Sequence, residues 1–442
     1  MATSHILLSF AFHFLLLYSL PLETATSETT EGRALLEWKN TFPNTHHVLH
    51  SWSIPNLHNI CWNWTGITCN SAGDVSKIKL DNFGLSGTLE SLHFLSFPNL
   101  THFSLADNSF MGSIPYAIAN LSQLIFLDLS SNHFVNFIPS EIGRLTYLRF
   151  LNLGGNGLGG TIPSQISHLQ HLTSLYLNDN SLTGQIPEAI FSNLSNLQTF
   201  DCGWNLFHGP LPTSLVELSK LKLLGLSGNG FYGSIPPTIG NLSSLTNLDL
   251  NSNMLQGDIP ETLCNLHSLN TLYLSKNMFS GLYPHCLGNI TSLRDLSLDS
   301  KMLQGNISRI LYNLHSLEGL LLNYNCLGDV IPQCLGNIRS LKYLSLRSNT
   351  VQGNIPETLC NLHNLEDLET IEGRALLKWK NTLEFNVERS LDEYGSPQAL
   401  HDSNIFELEL SLLGMGMAMV NNECRGAPNI MTRSRTAMVY MN

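Results

Sequence analysis

Charge is scarce in this sequence. Charged residues make up 13% of the 442-residue chain, about half the ~25% usual for a soluble domain. Cations are the scarcer sign, with 22 Lys+Arg against 34 Asp+Glu and a net charge of −12. A phosphate backbone is gripped by clustered positive charge, so nucleic-acid binding is excluded as a main role. There is no C-x-x-C and no His pair at ligand spacing, which argues against a metal site. The signatures V-A-I-K, H-R-D and D-F-G are absent, and with them phosphoryl-transfer chemistry of the protein-kinase kind. Gly155 to Gly160 do spell G-x-G-x-x-G, but no βαβ pattern follows, and a repeat explains the same residues more simply. No nucleophile and base stand in a recognisable motif. The chain is therefore expected to be a non-enzyme without a cofactor.

Long apolar runs are also rare. Ile6 to Leu20 is apolar apart from Ser9, His13, Tyr18 and Ser19, and the small residues Ala25-Thr26-Ser27 follow. This reads as a signal peptide over residues 1–25, although no Lys or Arg precedes the core. The run is shorter than the ~20 residues that span a bilayer. Leu410 to Val420 is shorter still, at eleven uncharged residues. The expectation is a secreted chain with no membrane span.

What the chain has in abundance is a 24-residue period. Leu124 to Thr146 (LIFLDLSSNHFVNFIPSEIGRLT) and Leu148 to Gln170 (LRFLNLGGNGLGGTIPSQISHLQ) are successive copies, and twelve begin near Val75, one of them a residue longer and ending at Ser195. Each opens L-x-x-L-x-L, an alternation that makes a short strand with its leucines on one side. One strand cannot bury that side alone, so the copies must stack into a parallel sheet. An asparagine follows in ten copies, from Asn108, Asn132 and Asn156 to Asn349. An amide can both donate and accept, so a column of them satisfies backbone groups that an inward turn removes from water. Lys301 breaks the column and, having no acceptor, is expected to swing out to solvent in the least regular coil. Four residues beyond the asparagine stands a glycine, replaced only by Asn136 and Asp329. Those are the side chains that best tolerate positive φ, so the slot is left-handed. A proline follows in ten copies, from Pro115 to Pro356, and Ser308 takes its place in the coil of Lys301.

The phrase L-x-x-L-x-L-x-x-N-x-L-x-G-x-I-P, running from Val75 to about Leu368, resembles the plant-specific leucine-rich repeat. Ahead of it, Glu31 to Lys39 (EGRALLEWK) and Cys61 to Cys69 (CWNWTGITC) are similar to the N-terminal cap of plant leucine-rich-repeat receptor-like kinases. The resemblance implies an α/β fold, a right-handed solenoid with a curved parallel sheet on its concave face and a helical cap. It also implies a Cys61–Cys69 disulfide. The expected organisation is a cap over residues 26–74, coils over 75–369, a second cap-like segment over 370–382 and an irregular tail over 383–442. That second segment repeats Glu31–Thr41 at ten of eleven positions in Glu372–Thr382.

Nine cysteines in an exported chain suit an oxidising destination. Cys264 with Cys286, and Cys334 with Cys360, fall near equivalent slots of adjacent coils and are candidate bridges, while Cys202 replaces a strand leucine and reads as core. Sequons stand at Asn63, Asn99, Asn120, Asn193, Asn241, Asn289 and Asn306, several of which should carry glycans after export.

Between the buried leucines, register turns other side chains outward. These are Phe126, Asp128, Phe150, Asn152, Tyr176, Asn178, Asp179, Asp201, Trp204, Asn247, Asp249, Tyr273, Lys276, Asp295, Asp299, Tyr324, Tyr343 and Arg347. Rings interleaved with acids and amides suit recognition, because rings bury much area while amides fix orientation. The acidic track would suit a basic or hydroxyl-rich peptide. The resemblance implies a receptor-like ectodomain that takes a secreted peptide or protein ligand, with leucine-rich-repeat receptor kinases or co-receptors as further partners. A secreted inhibitor resembling polygalacturonase-inhibiting proteins, or a non-functional receptor fragment, are the alternatives.

Overall fold

The computed structural model describes residues 27–43, 48–307, 311, 313–328, 330–350 and 356–369. The expected signal peptide, second cap-like segment and tail, together with Ser308, Asp329, Gly353 and the side chain of Lys301, lie outside the described residues. The chain forms two compact units, Met1–Phe207 and His208–Asn442.

The first unit opens with a helix, Ser27–Lys39. Its Ala34, Leu35 and Trp38 are buried. The Trp38 ring stacks on Phe110 at 5.8 Å and meets Phe42 edge-on at 4.8 Å, and its indole N–H donates to Thr88 O at 2.8 Å. Glu31, fully buried, accepts the Val75 N–H on both carboxylate oxygens at 2.9 and 3.1 Å. The first strand, Ile67–Cys69, runs antiparallel to Val75–Lys79, and the Cys61–Cys69 disulfide ties it to the short helix Ile60–Asn63. Antiparallel pairing covers an edge that a uniform parallel stack would leave open.

From Val75–Lys79 onward the strands are parallel and in step: His102–Ser104, Phe126–Asp128, Phe150–Asn152, Ser174–Tyr176 and Thr199–Asp201. The central leucines of successive coils, Leu127, Leu151 and Leu175, are fully buried. The asparagine column is present. Asn132 Nδ2 donates to Leu105 O of the preceding coil at 2.8 Å and to Leu129 O and Ser130 O of its own coil, while its Oδ1 accepts Phe110 N–H at 2.9 Å. Asn108, Asn156, Asn180 and Asn205 donate in the same way to Leu80, Leu129, Leu153 and Leu177.

The second unit repeats the scheme through strands Leu223–Gly225, Asn247–Asp249, Thr271–Tyr273, Asp295–Ser297, Gly319–Leu321, Tyr343–Ser345 and Asp367–Glu369. Asn253, Asn277, Asn325 and Asn349 continue the column there. Beside the coil of Lys301 the register shifts between Asn277 and Ser280. Cys264 and Cys286 are bridged.

Three features depart from the sequence reading. Each unit carries a second parallel sheet, formed by the segment after the asparagine, as in Ser109–Ser113, His133–Phe137 and Gly157–Gly160 of the first and Met254–Gly257 and Asn277–Leu282 of the second. The predicted left-handed slot holds, with Asn136 at φ 67°, but a second one precedes each asparagine. Asp107, Ser131, Asp179 and Trp204, then Ser252, Lys276, Tyr324 and Ser348, occupy it at φ from 51° to 57°. Finally, Cys334 keeps a free thiol and is not bridged to Cys360. Cys264 is fourth in the turn Glu261–Asn265 and Cys286 second in the next, His285–Asn289. Cys334 and Cys360 reverse that order, being second in Gln333–Asn337 and fourth in Glu357–Asn361. Cys326 is disulfide-bonded. Cys202 is core, as expected, with burial pushing its thiol well above the ordinary value.

Candidate functional site

In the first unit the outward positions of neighbouring strands form a row of rings. His102 pairs with Phe126, and Phe126 with Phe150. Their rings lie 5.8 Å apart at 20° and 4.3 Å apart at 7°. Tyr176 is paired with Asn152 rather than with Phe150, so it continues the row one position along, 5.7 Å from Phe150 and tilted by 48°. All four are half-buried, presenting ring surface that the core does not use. Burial, with the nearby Lys77 charge, lowers the His102 pKa and favours neutral imidazole.

The polar side chains flanking the row serve the backbone as well as the face. Asp128 Oδ1 accepts from Ser130 N at 3.0 Å and from Ser130 Oγ at 2.6 Å. Asn152, Asp201 and Asp249 each accept from the N–H two residues on, at Gly154, Gly203 and Asn251. Such Asx turns commit a side-chain oxygen to the local turn, and Asn152 Nδ2 also reaches Asp128 Oδ2 of the preceding coil at 3.5 Å. Trp204 and Asp179 do not belong to the strand row, contrary to the sequence expectation. They occupy the left-handed turn slot, where Trp204 is 59% exposed. Tyr324 and Lys276 stand in the corresponding slot of the second unit. Asp299 is also engaged, since its Oδ1 accepts the Asn323 N–H at 2.7 Å.

Among the described residues the second unit has no such ring row. Register places Asp295 beside Gly319 and Gly319 beside Tyr343, and around the glycine opens a hollow of about 450 Å³ lined by Tyr273, Asp295, Ser297, Gly319, Tyr343 and Ser345 among others. Beside it Glu318 takes Arg294 at 2.6 Å and Lys342 at 2.7 Å, and these two cations hold the Glu318 carboxyl below its usual range. The Tyr343 hydroxyl donates to Glu366 at 2.9 Å. Arg347 is exposed, its N–H bonded to Asn323 Oδ1 at 3.0 Å. Sequence reasoning missed His102, one coil before Phe126 at the same strand position, and Gly319, whose contribution is an absent side chain.

Of the sequon asparagines, Asn63, Asn99, Asn120, Asn193, Asn241 and Asn289 are exposed and Asn306 is half-buried. Asn120, Asn193, Asn241 and Asn289 each end the helical turn that follows a proline, and so stand off the strand faces. Among the described residues no group of three His, Cys, Asp or Glu is placed to hold a metal ion, and no helix is long and apolar enough to cross a membrane.

Comparison with known proteins agrees with this geometry. Family models match at residues 28–70 (leucine rich repeat N-terminal domain), 170–231 (leucine rich repeat) and 202–327 (leucine-rich repeat region). Single leucine rich repeats match at 99–121, 123–145, 147–169 and 340–362. A probable leucine-rich repeat receptor-like protein kinase of Arabidopsis thaliana is 38% identical over 115 residues, 25% of this chain and 10% of the relative. MDIS1-interacting receptor like kinase 2 of the same plant is 41% identical over 103 residues, 23% of this chain and 10% of the relative. The matched stretch is thus about a tenth of the length of these relatives. Among solved structures, the Arabidopsis receptor kinase HAESA, in complex with the peptide hormone IDA and the co-receptor SERK1, is 31% identical with a TM-score of 0.69, over 77% of this chain and 62% of that one. The plant peptide hormone receptor RGFR1 in complex with RGF2 is 34% identical with a TM-score of 0.60, over 65% of this chain and 46% of that one. With its cap, its stacked coils and its asparagine column, the chain belongs to the leucine-rich-repeat family and is built like the ectodomain of a plant receptor kinase.

Proposed function

We propose that this chain is an extracellular recognition module that binds a secreted peptide or protein on the strand face of its first unit, without catalysis, and hands the bound state to a leucine-rich-repeat co-receptor. The observation that carries the reading is the ring row His102–Phe126–Phe150–Tyr176. Four rings on neighbouring strands offer a ligand continuous apolar area, and the polar Asp128 and Asn152 side chains beside them fix its orientation. The HAESA and RGFR1 complexes, both with peptide hormones or named ligands bound, support the same use of the fold. In this reading residues 1–25 direct export, 26–74 form the cap, and the turn sequons carry glycans that leave the strand face bare.

The test is a panel of synthetic secreted plant peptides and purified receptor ectodomains presented to the secreted chain on a biosensor. At least one should bind, and Phe126→Ala with Phe150→Ala should weaken it at least tenfold, since central aromatic anchors are worth about 2 kcal/mol or more each. Undiminished binding by the double variant, or binding of microbial polygalacturonases alone, would overturn the proposal.

A further inference from the structure

The hollow in the second unit carries a more specific message than its neighbours. In the strand triplet Asp295, Gly319, Tyr343, the middle coil contributes no side chain, and an acid and a ring face each other across the gap. A Cβ placed on Gly319 would lie 2.6 Å from Asp295 Oδ1, so the carboxylate leans over the glycine into the hollow. Among the described residues that carboxylate has neither a hydrogen-bond nor an ion-pair partner. The two cations at hand, Arg294 and Lys342, are both held by Glu318. Burial, and secondarily the Glu318 charge, raise the Asp295 pKa against the opposing pull of Lys342 and Arg294. The carboxylate is therefore short of compensating charge where it stands. The Tyr273 hydroxyl is also without a partner among the described residues, while that of Tyr343 is fixed by Glu366 at 2.9 Å, which anchors one wall.

We propose that this hollow is a binding site for one cationic side chain of a ligand, its guanidinium or ammonium group paired with Asp295 and its stem lying over Gly319 between Tyr273 and Tyr343. The inference rests on the reading of the strand faces as recognition surfaces. The chemistry follows from the parts. A partly desolvated carboxylate gains most from a charge-assisted hydrogen bond, and aromatic walls favour a cation over an anion or a neutral amide. Gly319 sets the size of what enters.

The intact chain would be titrated with N-acetyl-arginine methylamide, with its lysine counterpart, and with the neutral citrulline counterpart, followed by ligand-observed NMR. At least one charged probe should bind at least fivefold more tightly than the citrulline probe. Asp295→Asn should remove that preference, and Gly319→Leu should abolish binding. Gly319→Ala, whose methyl meets only the far end of a movable carboxylate, should weaken it by a smaller factor and guards against a folding defect in the larger variant. Equal binding of charged and neutral probes, or a preference that survives Asp295→Asn, would sink the site. The Phe126→Ala, Phe150→Ala double variant should bind the probes normally. If peptides bind this double variant as well as the wild type while the probes still need Asp295, the first-unit reading fails and the hollow stands. If peptides need Phe126 and Phe150 while the probes ignore Asp295, the reverse holds.

Discussion

The two units build the same coil from the same template, yet their strand faces differ in kind. The first presents stacked rings; the second presents a hollow bordered by an unpaired acid and a triad of Arg294, Glu318 and Lys342. Behind both faces the central leucines are buried and the asparagines bond to the previous coil. The difference shows that the scaffold places almost no demand on the outward strand positions. Leucine packing and the amide column complete the fold, so face chemistry can vary from coil to coil without altering its support.

The comparison is tested most severely at the column itself. Asn132 is buried and serves three carbonyls and one N–H. Asn132→Leu strands these groups and should cost about 4 kcal/mol, on the basis of 1–3 kcal/mol for each buried group left unpaired. Asn349 is half-buried at the far end of the described column, and Asn349→Leu should cost less than half as much. Urea unfolding midpoints measure both, and equal losses would show that the column does not bear on the two units as described. Next in size is the Cys264–Cys286 bridge, which closes 22 residues between adjacent coils of the second unit only. Replacing both by Ser should destabilise by about 3 kcal/mol. Hydrogen exchange should show the loss in second-unit amides, with the first unit unchanged; uniform loss would contradict the separation of the units.

The smallest effect is one of sign. The Asp295 pKa is raised by burial and then by Glu318, so the folded state holds that proton more tightly than the unfolded chain does. Its unfavourable contribution is therefore present at neutral pH and relieved as pH falls through the raised value toward about 4, the ordinary carboxylate range. Glu318 is lowered by its hydrogen bonds to Lys342 and Arg294, so its contribution is present above the unfolded value and lost as pH falls through the lower folded one. Thermal unfolding at neutral pH should find Asp295→Asn neutral to slightly stabilising and Glu318→Gln slightly destabilising. Both changes should be small because solvent screens both groups. The same sign for both would contradict the charge arrangement of the second unit.

The sequence made legible whatever repeats as an identity. Asn108, Asn132 and Asn156 were visible as a column because one amide chemistry meets the need in every coil. The slot of Gly112 and Asn136 was visible because few residues accept its backbone. The left-handed slot before each asparagine was not, because Asp107, Ser131, Trp204 and Tyr324 share no chemistry. Their φ is imposed by hydrogen bonding between coils, as from Asn180 N–H to Trp204 O, rather than by residue type. From sequence alone Trp204 therefore reads as a strand residue. The second sheet is hidden in the sequence because its strands pass through the glycine slot and read as turn. The hollow at Gly319 is a missing side chain among three strands, and only register reveals it.

The coil between Asn180 and Asn205 is a residue longer than those on either side of it, and where the surplus goes has a wider consequence. Asn180 and Asn205 are 25 residues apart, yet their strands Ser174–Tyr176 and Thr199–Asp201 remain in step. The added residue is absorbed by a six-residue α-helix, Glu188–Asn193, where the flanking coils have five-residue 3-10 turns, Ser164–His168 and Thr213–Glu217. One edge of the coil thus behaves as a ruler and the other as slack. Insertions that drift into such a gene on the slack side leave every strand at its station, which allows a lineage to vary in length without losing what its ligand reads.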